Sequence, residues 1–166
     1  MRLASIALAA ALAAVPAAAA EPRWRLYTPD ERATLAVATT DEETDDFGSP
    51  AFSCRMGSGR IDVSHRLRPK EREWMAAAVR RGVDPRLQTV PAEAEAIVPR
   101  LAFTRGEDWE AEFELPVGSP PFERLRREGV FEFRLGTLAV RIAERRGLDQ
   151  VARFQEVCRS GKGRQP

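Results

Sequence analysis

The chain has 166 residues, with 26 Lys and Arg against 25 Asp and Glu, one histidine and two cysteines. A near-neutral balance without any nucleic-acid motif argues against a nucleic-acid-binding protein. A single histidine excludes a His-rich zinc site, and two cysteines far apart in sequence exclude the closely spaced pair of a thiol-disulfide redox catalyst.

Residues 1–20 carry one charge, Arg2. Leu3 to Val15 is an unbroken run of Leu, Ile, Ala, Val and one Ser, Pro16 ends it, and Ala18 and Ala20 sit at the small-residue positions of an A-x-A site. This pattern predicts a secretory signal peptide cleaved after Ala20. The run is too short to span ~30 Å of hydrocarbon, so a permanent anchor is not expected. Residues 1–20 are therefore read as signal, 21–161 as one exported domain and 162–166 as a flexible tail. A chain of that size buries roughly 70% of its unfolded surface, enough for one core. Alanine and arginine richness suits a high-GC bacterium, which would place the protein in the periplasm or outside the cell.

From Trp24 onward the dominant period is two. Trp24 and Leu26 alternate with Arg25 and Tyr27, and Leu35 and Val37 share a face. Phe52, Cys54 and Met56 line one face of a third segment, and Ile61, Val63, His65 and Leu67 one face of a fourth. Leu101 and Phe103 hint at another strand. Trp109, Ala111, Phe113, Leu115 and Val117 alternate with Glu110, Glu112 and Glu114, then Phe131, Phe133 and Leu135 with Glu132 and Arg134, and Leu138, Val140 and Ile142 close the series. Alternation with one polar face predicts antiparallel sheet packed on one side. Asp41 to Gly48 reads as an acidic loop, Gly57-Ser58-Gly59 as a tight hairpin, and Gly136 as a strand separator.

Two helices interrupt the strands. Pro69 comes first, Glu71 and Glu73 follow, Arg80 and Arg81 come late and Gly82 ends the run, the order that N-terminal proline, the helix dipole and a glycine stop require. The second covers about Leu148 to Arg159, with Leu148, Val151, Phe154, Val157 and Cys158 on one face. Phe122 to Arg127 is a further short helical turn. Residues 84–99 stay open, with Ala92 to Val98 either helix or loop. The fold expected is α+β but mainly β, an antiparallel sandwich or open barrel with a C-terminal helix.

Both cysteines fall on apolar faces, Cys54 on a strand and Cys158 on the last helix. In an exported protein an even count predicts a bond between them. It would fasten the helix to the sheet and stabilise the fold by roughly 4–5 kcal/mol in the chain-entropy model.

Chemistry-bearing residues are few. His65, on an apolar strand face, reads first as a hydrogen-bonded core residue, and no G-x-S-x-G surrounds any serine to supply a nucleophile for it. Ser58 reads as turn chemistry. The acidic run from Asp41 to Asp46 lacks the EF-hand spacing. Glu110, Glu112 and Glu114 stand about 7 Å apart along one strand face and read as a solvent face, with Arg134 and Arg141 as candidate cross-strand partners. No catalytic residue, cofactor or metal ligand is assigned. Charge is uneven along the chain: residues 21–120 hold 14 basic and 19 acidic residues, residues 121–166 hold 11 and 6. The two halves either face each other in one fold or leave an arginine surface for an anion. Arg124, Arg126, Arg127, Arg145, Arg146 and Arg153 are the candidates, because guanidinium grips carboxylate and phosphate in a bidentate way.

An opening Trp24, a strand ending in a core cysteine (PAFSC, Pro50 to Cys54), a W-x-x-x-F-x-L strand at Trp109, Phe113 and Leu115, and a helix closing on cysteine (LDQVARFQEVC, Leu148 to Cys158) form a pattern that resembles small exported proteobacterial proteins of the invasion-associated locus B and type VI secretion accessory kind. The resemblance covers most of residues 21–161 apart from 68–99. It implies a β-sandwich-like build and assigns no functional residue. The function expected is that of a non-enzymatic periplasmic binding or accessory protein. Its partner would be an envelope protein or an anionic cell-wall or lipid component. The alternatives are a small cell-wall glycan hydrolase, which requires a cleft where Glu112 or another acid meets His65 or a second acid, and a lysozyme-type enzyme inhibitor, which requires a protruding loop.

Overall fold

A computed structural model describes residues 21–40, 48–82, 87–92, 97–103 and 109–161. The signal segment 1–20, most of the acidic loop (41–47), part of the open region (84–86 and 93–96) and the tail 162–166 lie outside the described residues.

The elements run β1 (Arg23–Tyr27), β2 (Arg32–Ala38), β3 (Ala51–Arg55), β4 (Arg60–Arg66), α1 (Pro69–Arg80), β5 (Leu87–Val90), β6 (Ile97–Phe103), β7 (Trp109–Pro116), α2 (Pro120–Glu128), β8 (Val130–Leu135), β9 (Leu138–Ala143) and α3 (Leu148–Ser160). The strands form two antiparallel sheets, one in the order β1-β2-β3-β4-β7-β6 and one in the order β5-β8-β9. The molecule is mainly β, and its C-terminal helix is disulfide-linked to the larger sheet.

Alternation sets which face is buried. Phe52, Ile61, Val63, Phe113 and Leu115 of the larger sheet meet Phe131, Phe133 and Leu135 of the smaller one in a single core. Phe52 and Phe131 pack edge to face with ring centroids 4.9 Å apart, and Phe113 and Phe133 at 5.0 Å. These are favourable aromatic geometries. Phe122 of α2 and Phe154 of α3 extend the core, 5.8 Å from each other. Trp24 packs on Phe52 and its indole N–H donates to the Glu144 carbonyl at 2.8 Å, so its one polar atom is satisfied in the core.

Cys54 and Cys158 are bonded, with Cα atoms 5.9 Å apart. Beside the bond, the Gly57 and Gly59 N–H groups of the β3–β4 turn donate to the Val157 and Cys158 carbonyls at 3.0 and 2.9 Å. A helix leaves its last carbonyls without internal donors; the turn supplies one to Cys158 and a second to Val157, which also accepts the Gly161 N–H at 3.0 Å. The hairpin glycines thus do a second task at the end of α3.

Strand β5 was not foreseen, and α2 is longer than the single turn anticipated. Ile97 and Val98 belong to β6, so the helical option for Ala92 to Val98 fails at its C-terminal end. Among the described residues no helix is long and apolar enough to cross a membrane.

Candidate functional site

The alternation that buries Ile61 and Val63 also carries His65 inward, to 3% exposure, with its ring edge-on to Phe133. Two residues later the chain leaves the sheet and turns into α1. The Arg72 N–H closes the first helical bond onto the Arg68 carbonyl, so Arg68 is the residue at the helix start and Glu71 lies three beyond it. From there the Glu71 side chain reaches back: Oε2 accepts the Arg68 N–H at 2.7 Å and Oε1 accepts the Arg68 guanidinium through Nε at 2.7 Å and through Nη2. This is the glutamate half of a capping box, built here without a Ser or Thr at its start.

The same carboxylate meets His65. Nε2 lies 3.1 Å from Glu71 Oε2, and Nδ1 lies 2.7 Å from the Oγ of Ser49, just ahead of β3. Ser49 Oγ accepts the Arg66 N–H at 3.0 Å, so its own proton is left to point at Nδ1. The neutral imidazole with its proton on Nε2, donating to Glu71, is the tautomer that satisfies every atom in the line. Burial lowers the His65 pKa against the opposing pull of Glu71, which keeps the ring neutral. Burial pushes the Glu71 carboxyl up, but the bonds from Arg68 and His65 outweigh it and hold it below the ordinary carboxylate range.

Three residues, Ser49, His65 and Glu71, therefore stand in a hydrogen-bonded line that runs from an exposed hydroxyl to a buried carboxylate. No G-x-S-x-G announces it, because that motif encodes a strand-to-helix elbow, whereas this line is assembled from the lead-in to β3, the end of β4 and the first turn of α1. Glu71, and not Glu112, is the acid that meets His65. Ala111, Phe113 and Leu115 are buried, so Glu110, Glu112 and Glu114 point to the opposite face of the sheet. There Glu114 pairs with Arg60 at 2.8 Å and Glu110 accepts a bond from Ser64. The cross-strand partners anticipated for these acids, Arg134 and Arg141, lie on β8 and β9 of the other sheet. Among the described residues no three His, Cys, Asp or Glu side chains gather as metal ligands.

Of the six candidate arginines, Arg124, Arg126 and Arg127 lie on α2, Arg153 on α3, and Arg145 and Arg146 in the segment between β9 and α3. Arg124 pairs with Glu128 at 3.1 Å, and Arg126 with Glu123 at 2.9 Å. Arg127 lies 4.0 Å from Glu128. Arg146 holds both Glu144, at 2.9 Å, and Glu21, at 2.6 Å. The Arg146 guanidinium pulls the Glu144 carboxyl down to about 2. Arg145 and Arg153 are exposed. Glutamates thus thread the basic surface and pair with Arg124, Arg126, Arg127 and Arg146.

Sequence reading did not single out the concavity this surface borders. A slot of about 210 Å³ opens along β1, walled by Arg23 to Tyr27 on one side and by Gly147, Asp149 and Gln150 at the start of α3 on the other. β1 is the edge strand of the larger sheet. The Trp24 N–H on this edge donates to the Arg146 carbonyl at 3.0 Å. Gly147, at φ 79°, closes the approach: a Cβ there would stand 2.5 Å from the Trp24 carbonyl oxygen. Arg145 and Arg146 lead into the slot, Arg153 lies one helical turn beyond Gln150, and Arg23 and Arg25 project from the strand itself.

No protein-family model, curated protein or solved structure matches the chain. Fold and site together define a mainly β, disulfide-stapled domain with a buried Ser-His-Glu line at one end of its larger sheet and a basic slot along one edge.

Proposed function

We propose that the chain is an exported binding or accessory protein of the bacterial cell envelope, periplasmic or secreted, that holds an anionic cell-wall or lipid component or an acidic envelope protein. The slot between β1 and α3 is the observation that carries this reading. It combines an edge strand, which offers backbone groups, with exposed guanidinium groups on both rims, the pairing that suits a carboxylate- or phosphate-bearing chain. The export half rests on the signal pattern of residues 1–20 and on the Cys54–Cys158 bond, which persists in oxidising compartments. The resemblance to exported proteobacterial proteins of the invasion-associated locus B kind agrees with it.

The test is titration of the mature protein with phosphatidylglycerol vesicles, phosphatidylcholine vesicles and soluble peptidoglycan fragments across a salt series. Binding to an anionic probe is expected, weakening as salt rises. Arg23→Glu together with Arg145→Glu, both exposed positions, should weaken it at least tenfold at about 1 kcal/mol per charge. Binding indifferent to salt and to these reversals, or no binding to any anionic probe at low salt, contradicts the reading.

A further inference from the structure

The line Ser49–His65–Glu71 has no part in the binding reading, and its order is that of a nucleophile, a base and an orienting acid. We propose that Ser49 is an activated nucleophile, with His65 as its general base and Glu71 as a positioning residue, able to take an acyl group from a carboxylic ester presented at the protein surface.

Four observations support it. Ser49 Oγ lies 2.7 Å from Nδ1, within the reach a general base needs. Nε2 is held at 3.1 Å by a carboxylate that is itself 2% exposed, so the ring is fixed in one tautomer and its protonated form has a counter-charge. The ring is shielded from water at 3% exposure while the serine is open to solvent. The Arg66 N–H also donates to Oγ, at 3.0 Å, and would favour the oxyanion as the proton leaves. The ring is used in the sense opposite to the familiar serine hydrolases, Nδ1 toward serine and Nε2 toward the acid, and either nitrogen of imidazole can accept the proton.

The step balances within the line. As Oγ bonds the acyl carbon, its proton passes to Nδ1. Collapse of the tetrahedral adduct breaks the ester C–O bond, and the departing alkoxide takes that proton and leaves as an alcohol. Water then attacks the acyl-Ser49 carbon, giving a proton to Nδ1. Cleavage of the Oγ–acyl bond releases a carboxylic acid and returns the proton to Oγ. The charged groups whose fields reach His65 are Glu71 and Arg68 at the start of α1 and, from the opposite face of the sheet, Glu110 on β7, with Arg66 next to it on β4.

The mature protein, treated with a fluorophosphonate probe and mapped by peptide mass spectrometry, tests this. Attack by Oγ on phosphorus expels fluoride while Nδ1 takes the proton. Ser58, exposed in the β3–β4 turn with its Oγ bonded to the Arg60 backbone, is the internal control. Ser49 should be phosphonylated at least ~100-fold faster than Ser58, the lower range for a general base, with a rate that falls in acid only below the ordinary imidazole range, because burial lowers the His65 pKa. Ser49→Ala should remove the adduct, and Glu71→Gln should slow it about tenfold. Ser49→Cys, at an exposed position, should be alkylated by iodoacetamide at pH 6 at least tenfold faster than Ser58→Cys. Equal rates at the two positions in either chemistry overturn the proposal.

Discussion

His65 Nε2 stands 3.1 Å from Glu71 Oε2, so one hydrogen bond inside the core ties the end of β4 to the first turn of α1. Both groups titrate below neutrality, which makes this bond an acid-sensitive part of the fold. His65 has a pKa lowered by burial, so the unfolded chain binds its proton first as pH falls. Stability from this group is present above about 6.5 and is lost as pH falls through the lower folded value. Glu71 and Glu144 are also depressed, the latter to about 2, and their contribution is present above about 4.5 and lost below it. The melting temperature should therefore fall in two stages, one below pH 6.5 and one below pH 4.5. His65→Asn should remove the first stage and keep the second. A flat profile between pH 7 and 5 would contradict this.

Gly147 serves two demands at once, a left-handed backbone and the closeness of the Trp24 carbonyl. Gly147→Ala must meet both. Gly59→Ala, at φ 72° with no described atom within 4 Å, meets only the first. A non-glycine residue in the left-handed region costs roughly 1–2 kcal/mol. Gly59→Ala should lower stability by about that amount in urea unfolding, and Gly147→Ala by at least 1 kcal/mol more. Equal losses would show that the β1–α3 approach has slack.

The disulfide closes a separation of 104 residues. Replacing both cysteines by alanine should cost roughly 4–5 kcal/mol in the chain-entropy model. The bonds from Gly57 and Gly59 to the end of α3 should keep a folded minority with native near-ultraviolet circular dichroism at low temperature. Unchanged urea midpoints for the double variant would remove the staple from the account.

Gln155, 4% exposed on α3, donates through Nε2 to the Val117 carbonyl at 2.9 Å and to Glu123 Oε1 at 2.5 Å. It joins α3 to the end of β7 and to α2, and its bond is the leading cause of the lowered Glu123 pKa. Gln155→Leu leaves a buried acceptor without a donor, which costs roughly 1–3 kcal/mol. Thermal unfolding should show that loss, with the Glu123 carboxyl titrating nearer its ordinary value by NMR.

The inward direction of His65 was legible from its alternation with Ile61, Val63 and Leu67. Its partners were not. Ser49 lies 16 residues away and reaches Nδ1 only because of how the β3–β4 hairpin pairs. Glu71 looked sufficient as an acid favouring a helix start, which hides that it bends back. The division into two sheets was also hidden: nothing in the alternation of Phe131 and Phe133 says that Arg134 faces Glu132 and not the glutamates of β7. β5 escaped because a strand of four residues, set between Pro85 and Pro91, gives too short a period to read. Among the arginines, Glu123 with Arg126 and Arg124 with Glu128 stand three and four apart, and that spacing already signals pairing on a helix. The slot could not be read at all, since it depends on β1 being an edge.

The central claim is an exported domain closed by one disulfide. Non-reducing mass spectrometry of the protein recovered from the periplasmic or culture fraction of its producing cell tests it most directly. The account predicts an N-terminus at Glu21 and the Cys54 and Cys158 peptides linked. A chain that retains residues 1–20, found in the cytoplasm with both thiols free, would contradict it.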